Sequence, residues 1–117
     1  MTKILYVEDN AQQRELYSMV LRSGLQAEVD AVDNADAFLE KARSGGYNFW
    51  FSDNDLPDEK RGYANLKQLR AEGYQTPAIL FTGRDLPTEQ ISRVKYLGKS
   101  MNLTDIVKAI EELKAAA

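Results

Sequence analysis

Glu8, Asp9, Asp53, Thr82 and Lys99 are the side chains of this 117-residue sequence that could act together on a charged group. Each stands where a short apolar run ends: KILYV leads into Glu8-Asp9, FWFS into Asp53, AILF into Thr82 and VKYLG into Lys99. Asp53 makes the strongest demand. A carboxylate at the buried end of a hydrophobic strand must be ion-paired, metal-bound or reactive, because desolvating it alone costs several kcal/mol. Taken singly, the others have ordinary explanations: the acidic pair as a helix cap, Thr82 as a turn former, Lys99 as a solvated charge near a helix start. Strand ends that deliver carboxylates, a hydroxyl and an ammonium toward one rim are harder to explain separately, and together they suit phosphoryl transfer.

Composition removes competing chemistries. The chain has no cysteine and no histidine. Thiol nucleophiles, disulfides, zinc-histidine sites, a Ser-His-Asp triad and a histidine phosphodonor within the chain are therefore excluded. The 15 basic and 18 acidic residues are mixed along the sequence, giving a net charge of -3 and a pI near 5.0. No basic run offers a grip on nucleic acid, so direct binding to it is not expected. The N-terminus, MTKILYVEDN, turns acidic at Glu8 and has neither the apolar core of a signal peptide nor the length of a membrane span. A soluble, cytoplasmic protein is expected, folded as one domain over residues 1–117.

The elements that must position these groups follow from periodicity. Strands are expected at Lys3–Val7, at Ala27–Ala31 on an edge, over the run Phe49-Trp50-Phe51, at Ala78–Phe81 and at Val94–Leu97. Asn10 or Asp9 caps a helix over Ala11–Ser23, with Leu16, Met19, Val20 and Ser23 at helical spacing and Gly24 as its stop. Asn34 caps Ala35–Ser44, where Ala35, Phe38, Leu39 and Ala42 form one stripe ahead of Gly45-Gly46. A third helix covers Tyr63–Glu72, with Leu66 and Leu69 inward and Gly73 as its stop. Pro87-Thr88-Glu89-Gln90 opens a helix of at most two turns. Asn102 and Asp105 cap the last helix, whose stripe is Leu103, Ile106, Val107, Ile110 and Leu113. Strands alternating with helices, each crossover too long for a hairpin, give an α/β fold with a parallel sheet covered on both faces. In such sheets reactive groups gather at the carboxyl ends of the strands.

The ordered set ILYVEDN, YNFWFSDNDLP, ILFTG and KYLGKS resembles the response-regulator receiver domains, across essentially the whole chain. That resemblance implies a flavodoxin-like, doubly wound five-stranded sheet in the order 2-1-3-4-5. It implies an acidic pocket of Glu8, Asp9 and Asp53 holding Mg2+ or Mn2+, with the backbone carbonyl of Asp55 as a further ligand. Asp53 is then the phosphoacceptor, taking a phosphoryl group from a histidine kinase or phosphotransfer protein, with Lys99 and Thr82 assisting. Thr82 and Tyr96 form the switch, reporting to a protein partner through the face of the family's fourth helix, fifth strand and fifth helix. Asp55 and Arg84 flank the phosphoryl group and influence its lifetime. A monomer or weak homodimer, not a turnover enzyme, is implied.

The chain departs from the family pattern in having Ser100 where a proline is usual, and a stretch from Thr82 to Lys99 short enough to leave the fourth helix reduced or missing. The loop from Pro57 to Gly62 is longer and carries Lys60-Arg61. Two alternatives stand beside the active receiver. One is a pseudo-receiver of the same fold, not phosphorylated and acting as a constitutive interaction module. The other is a haloacid-dehalogenase-type phosphatase, which Asp53-Asn54-Asp55 resembles, although Leu56-Pro57 does not continue that motif.

Overall fold

The computed structural model describes residues 2–56, 62–83, 89–98 and 102–115. β1 (Lys3–Val7), β2 (Glu28–Val32), β3 (Phe49–Asp53), β4 (Ala78–Thr82) and β5 (Val94–Gly98) form a parallel sheet in the order β2-β1-β3-β4-β5. This is the flavodoxin-like order. The middle strands are nearly continuous apolar runs because helices cover both their faces, and every residue of β3 and β4 is buried. β2 lies at the edge, as its alternating charges imply, but one residue later than expected, since pairing of Lys3 with Glu28 sets its start.

Alternation across the strands divides the core in two. Ile4, Phe51 and Phe81 face α1 (Ala11–Leu25) and α4 (Leu103–Ala115), while Leu5, Trp50 and Leu80 face α2 (Ala35–Ser44) and α3 (Gly62–Ala71). The α2 stripe is as expected: Asn34 caps the helix by accepting from the Ala37 N–H at 2.8 Å, and Phe38 meets Trp50 edge-on at 6.0 Å. Asn102 likewise caps α4, accepting from the Asp105 N–H at 2.9 Å, with Ile106 and Ile110 buried. The side chains of Leu103 and Leu113 lie outside the described residues.

α1 overturns two expectations. Leu16 and Met19 are 46% and 56% exposed, and the inward face carries Tyr17, Ser18, Leu21 and Leu25 instead. Tyr17 sets this rotation: its ring packs edge-on against Phe81 at 5.3 Å and against Tyr6 at 6.5 Å. An aromatic cluster of this size outweighs the aliphatic stripe one residue away. Gly24 is not a stop, because the helix continues to Leu25 and ends on Gln26 in the left-handed region. A Cβ on Gly24 would stand 3.0 Å from Val107 Cγ2, so the missing side chain lets α4 approach α1 closely.

Between β4 and β5, Pro87 and Thr88 lie outside the described residues, and 89–93 contain no helix. The segment is strapped to α3 instead. The Arg70 guanidinium donates to the carbonyls of Thr76 at 2.6 Å and Ser92 at 2.7 Å while lying 5.7 Å above the Trp50 ring. Its five fixed donors make such multiple contact possible. No described helix is long and apolar enough to cross a membrane.

Candidate functional site

Strand register assembles the acidic cluster. Val7 pairs with Ser52, so the next residues, Glu8 and Asp53, leave adjacent strands side by side. Glu8, Asp9 and Asp53 each offer an oxygen within 4.8 Å of the others. Glu8 and Asp53 are each 1% exposed, and Asp9 faces solvent. This all-oxygen anionic donor set, open on one side, fits a hard divalent cation. The electrostatics agree. Burial, then the hydrogen bond to Asp53 and its negative charge, push the Glu8 carboxyl from its ordinary 4.5 up to about 8. Near neutrality a proton therefore relieves the repulsion that a cation would otherwise neutralise.

A measurable pH dependence results. Between about 4.5 and 8 the folded protein keeps a proton on Glu8 that the unfolded chain gives up, so stability falls as pH rises through that window. The metal-free protein is expected to lose up to ~1.4 kcal/mol per pH unit there, read as a falling urea midpoint. Mg2+ is expected to restore stability most at the alkaline end. A profile flat over that range would contradict a buried carboxylate cluster.

The acidic turn is tied down locally. Asn10 caps α1 by accepting from the Gln13 N–H at 3.0 Å, and its own N–H donates to Glu8 Oε2 at 3.2 Å. Arg14, one turn into α1, donates to the Glu8 carbonyl at 2.9 Å. At the end of β3, the Asp55 N–H donates to Asp53 Oδ1 at 2.9 Å and the Asn54 N–H continues the ladder to the Phe81 carbonyl at 2.9 Å. The Asn54 side chain then accepts from the Tyr63 N–H at 2.9 Å, tying the first turn of α3 to the residue after Asp53.

Thr82 follows Phe81, which pairs with Asp53, and is 1% exposed at the same rim. Its hydroxyl donates to Asp55 Oδ1 at 3.2 Å, and the Gly83 N–H donates to Asp55 Oδ2 at 2.8 Å. Arg84, Lys99 and Ser100 lie outside the described residues; β5 reaches Gly98 opposite Thr82. Tyr96 is half-buried, and its hydroxyl donates to the Glu89 carbonyl at 2.6 Å and accepts from the Ile91 N–H at 3.0 Å. The Glu89 carboxylate in turn accepts from the Tyr63 hydroxyl at 2.8 Å and Lys67 at 3.0 Å. Tyr96 is thus joined to α3 through the segment that stands where a helix was expected to be reduced or missing.

The register unites Glu8, Asp9, Asp53, Asp55 and Thr82, and leaves Tyr96 on the flank. Nothing in the sequence marks Arg14 as part of the site, and Asn54 stands out only in the Asp53-Asn54-Asp55 run and Gly62 only at the end of a loop. Gly62 had a signal, a glycine closing a charged loop just before a helix, but the reason for it is a contact distant in sequence. A Cβ there would run into the Asp53 carbonyl and Ser52 Oγ.

The family model of the response regulator receiver domain matches residues 4–111. The transcriptional regulatory protein CiaR of Streptococcus pneumoniae is 30% identical over 97% of the chain, which spans about half (51%) of that relative. The structure of response regulator protein TrrA from Thermotoga maritima, in complex with Mg2+-BeF, is 25% identical, with a TM-score of 0.84 over 97% of this chain and 99% of that one. A CheY-like response regulator receiver domain from Methylobacillus flagellatus is 26% identical, with a TM-score of 0.82 over 97% of this chain and 98% of that one.

Proposed function

Since the chain belongs to the family of response regulator receiver domains, we propose that it is a phosphorylation-dependent signalling module in which Asp53 accepts a phosphoryl group. That membership sets aside the haloacid-dehalogenase-type phosphatase. The observation that carries the reading is the pairing of buried Asp53, one oxygen oriented by the Asp55 N–H, with Glu8 and Asp9 in a cation-sized cluster.

A carboxylate oxygen of Asp53 attacks the phosphorus of a phosphohistidine on a histidine kinase or phosphotransfer protein. The P–N bond breaks, the imidazole leaves, and an aspartyl phosphate remains. Glu8, Asp9, Asp53 and the Asp55 carbonyl would hold Mg2+ or Mn2+, which would neutralise charge gathering on the transferring oxygens. Lys99 supplies a second positive charge there and Thr82 a hydroxyl donor. Because the phosphoryl group stays on the chain until it is hydrolysed, this is a switch and not a turnover enzyme. Thr82 moving toward the phosphoryl group alters the space beside Tyr96, and the change is read by a protein partner on the face of β5, α4 and the segment before β5. We assign residues 1–117 to one receiver unit, cytoplasmic, and monomeric or weakly dimeric.

Incubation with acetyl phosphate and Mg2+ is expected to add one phosphoryl group to the intact mass, and a chelator to prevent it. Folded protein that gains no mass with ample Mg2+ would replace this reading with the constitutive pseudo-receiver.

A further inference from the structure

Asp55 is placed to do more than flank the site. Its main chain is fastened to Asp53, the N–H donating to Oδ1 at 2.9 Å, while its side chain crosses to the end of β4. There each carboxylate oxygen has its own donor: Oδ1 takes the Thr82 hydroxyl at 3.2 Å and Oδ2 the Gly83 N–H at 2.8 Å. Thr82 is 1% exposed, so water offers its hydroxyl little alternative. A two-oxygen anion bridging a hydroxyl and a backbone amide at the rim beside Asp53 has the form of the group that Asp53 would acquire.

We propose that the Asp55 carboxylate is a resident anion in the phosphoryl cradle, occupying the Thr82 hydroxyl and the Gly83 amide until a phosphoryl group on Asp53 displaces it. This rests on the phosphoacceptor reading of Asp53 and deepens it, making Asp55 a positioning residue. Two anions cannot share one donor pair, and their like charges add to the competition. The resting donors are therefore held in place, and part of the phosphoryl group's binding energy goes into expelling Asp55. Alanine at 55 removes both acceptors, whereas asparagine keeps one oxygen and loses the charge.

The test combines amide hydrogen exchange with binding of beryllofluoride in Mg2+, on the wild type, Asp55→Ala and Asp55→Asn. In metal-free protein the Gly83 amide is expected to exchange at least ~10-fold faster in Asp55→Ala, with Asp55→Asn intermediate. Beryllofluoride is expected to bind about 10-fold more tightly to Asp55→Ala than to wild type. In a Thr82→Val background that gain should shrink, because a shared donor is gone. A gain of the same size in that background would leave only charge repulsion and overturn the proposal. Unchanged Gly83 exchange in both variants overturns it whatever beryllofluoride does. Wild-type protein that binds no beryllofluoride overturns instead the phosphoacceptor reading beneath it.

Discussion

Gly62→Ala is expected to cost ~3 kcal/mol of stability or more and to open the junction between α3 and the end of β3. The added Cβ would collide with the Asp53 carbonyl and Ser52 Oγ. Neither can withdraw, since both belong to a central strand buried along its whole length. The first turn of α3 must retreat instead. That breaks the bond from the Tyr63 N–H to the Asn54 side chain and lifts Leu66 and Leu69, both fully buried, from their seats. The same displacement strains the link from the Tyr63 hydroxyl through Glu89 to Tyr96. A urea midpoint close to wild type, with the Tyr63 amide unperturbed, would refute this account of how α3 meets the site.

Asp53→Asn is expected to abolish phosphoryl uptake and yet to stabilise the metal-free protein by on the order of 1 kcal/mol. Both effects have one origin. The carboxylate sits against Glu8 with almost no solvent, and its hydrogen bond and charge help to hold the Glu8 proton well above the ordinary range. An amide removes the charge, so Glu8 ionises more readily. The loss of stability between about pH 4.5 and 8 should then become smaller, with burial of Glu8 and its hydrogen bond to Asp9 left to drive it. Mg2+ should stabilise the variant less than the wild type. A lower melting temperature for the variant without metal would mean that the carboxylates are not clustered as described.

The sheet was legible because its signal is local: apolar runs such as FWFSD and AILFT read as buried strands wherever they occur. Strand ends then located Glu8, Asp9, Asp53 and Thr82 without knowledge of any contact. The face of α1 was not legible. Leu16, Met19 and Val20 satisfy helical spacing, but Tyr17 is drawn in by the ring of Tyr6 on the preceding strand and by those of Phe51 and Phe81, which lie far away in sequence. Gly24 misled for a related reason, since the strongest local stop signal served a close approach to Val107. The same limit hid the side-chain bridges. Asp55 reaching Thr82 and Gly83, and Arg70 reaching across to Ser92, depend on register between β3 and β4 and on the position of α3. Spacing along the chain encodes neither.

Chemical mapping locates the phosphoryl group on the chain. Protein treated with acetyl phosphate and Mg2+ is reduced with borohydride, which converts an aspartyl phosphate to homoserine, and is then digested and sequenced by mass spectrometry. Homoserine is expected at position 53 and at no other residue, with none in Asp53→Asn. Homoserine at Asp9 or Asp55, 5-hydroxynorvaline (the product of a reduced glutamyl phosphate) at Glu8, or a fully recovered aspartate at 53 in protein whose intact mass had risen, would be the opposite result.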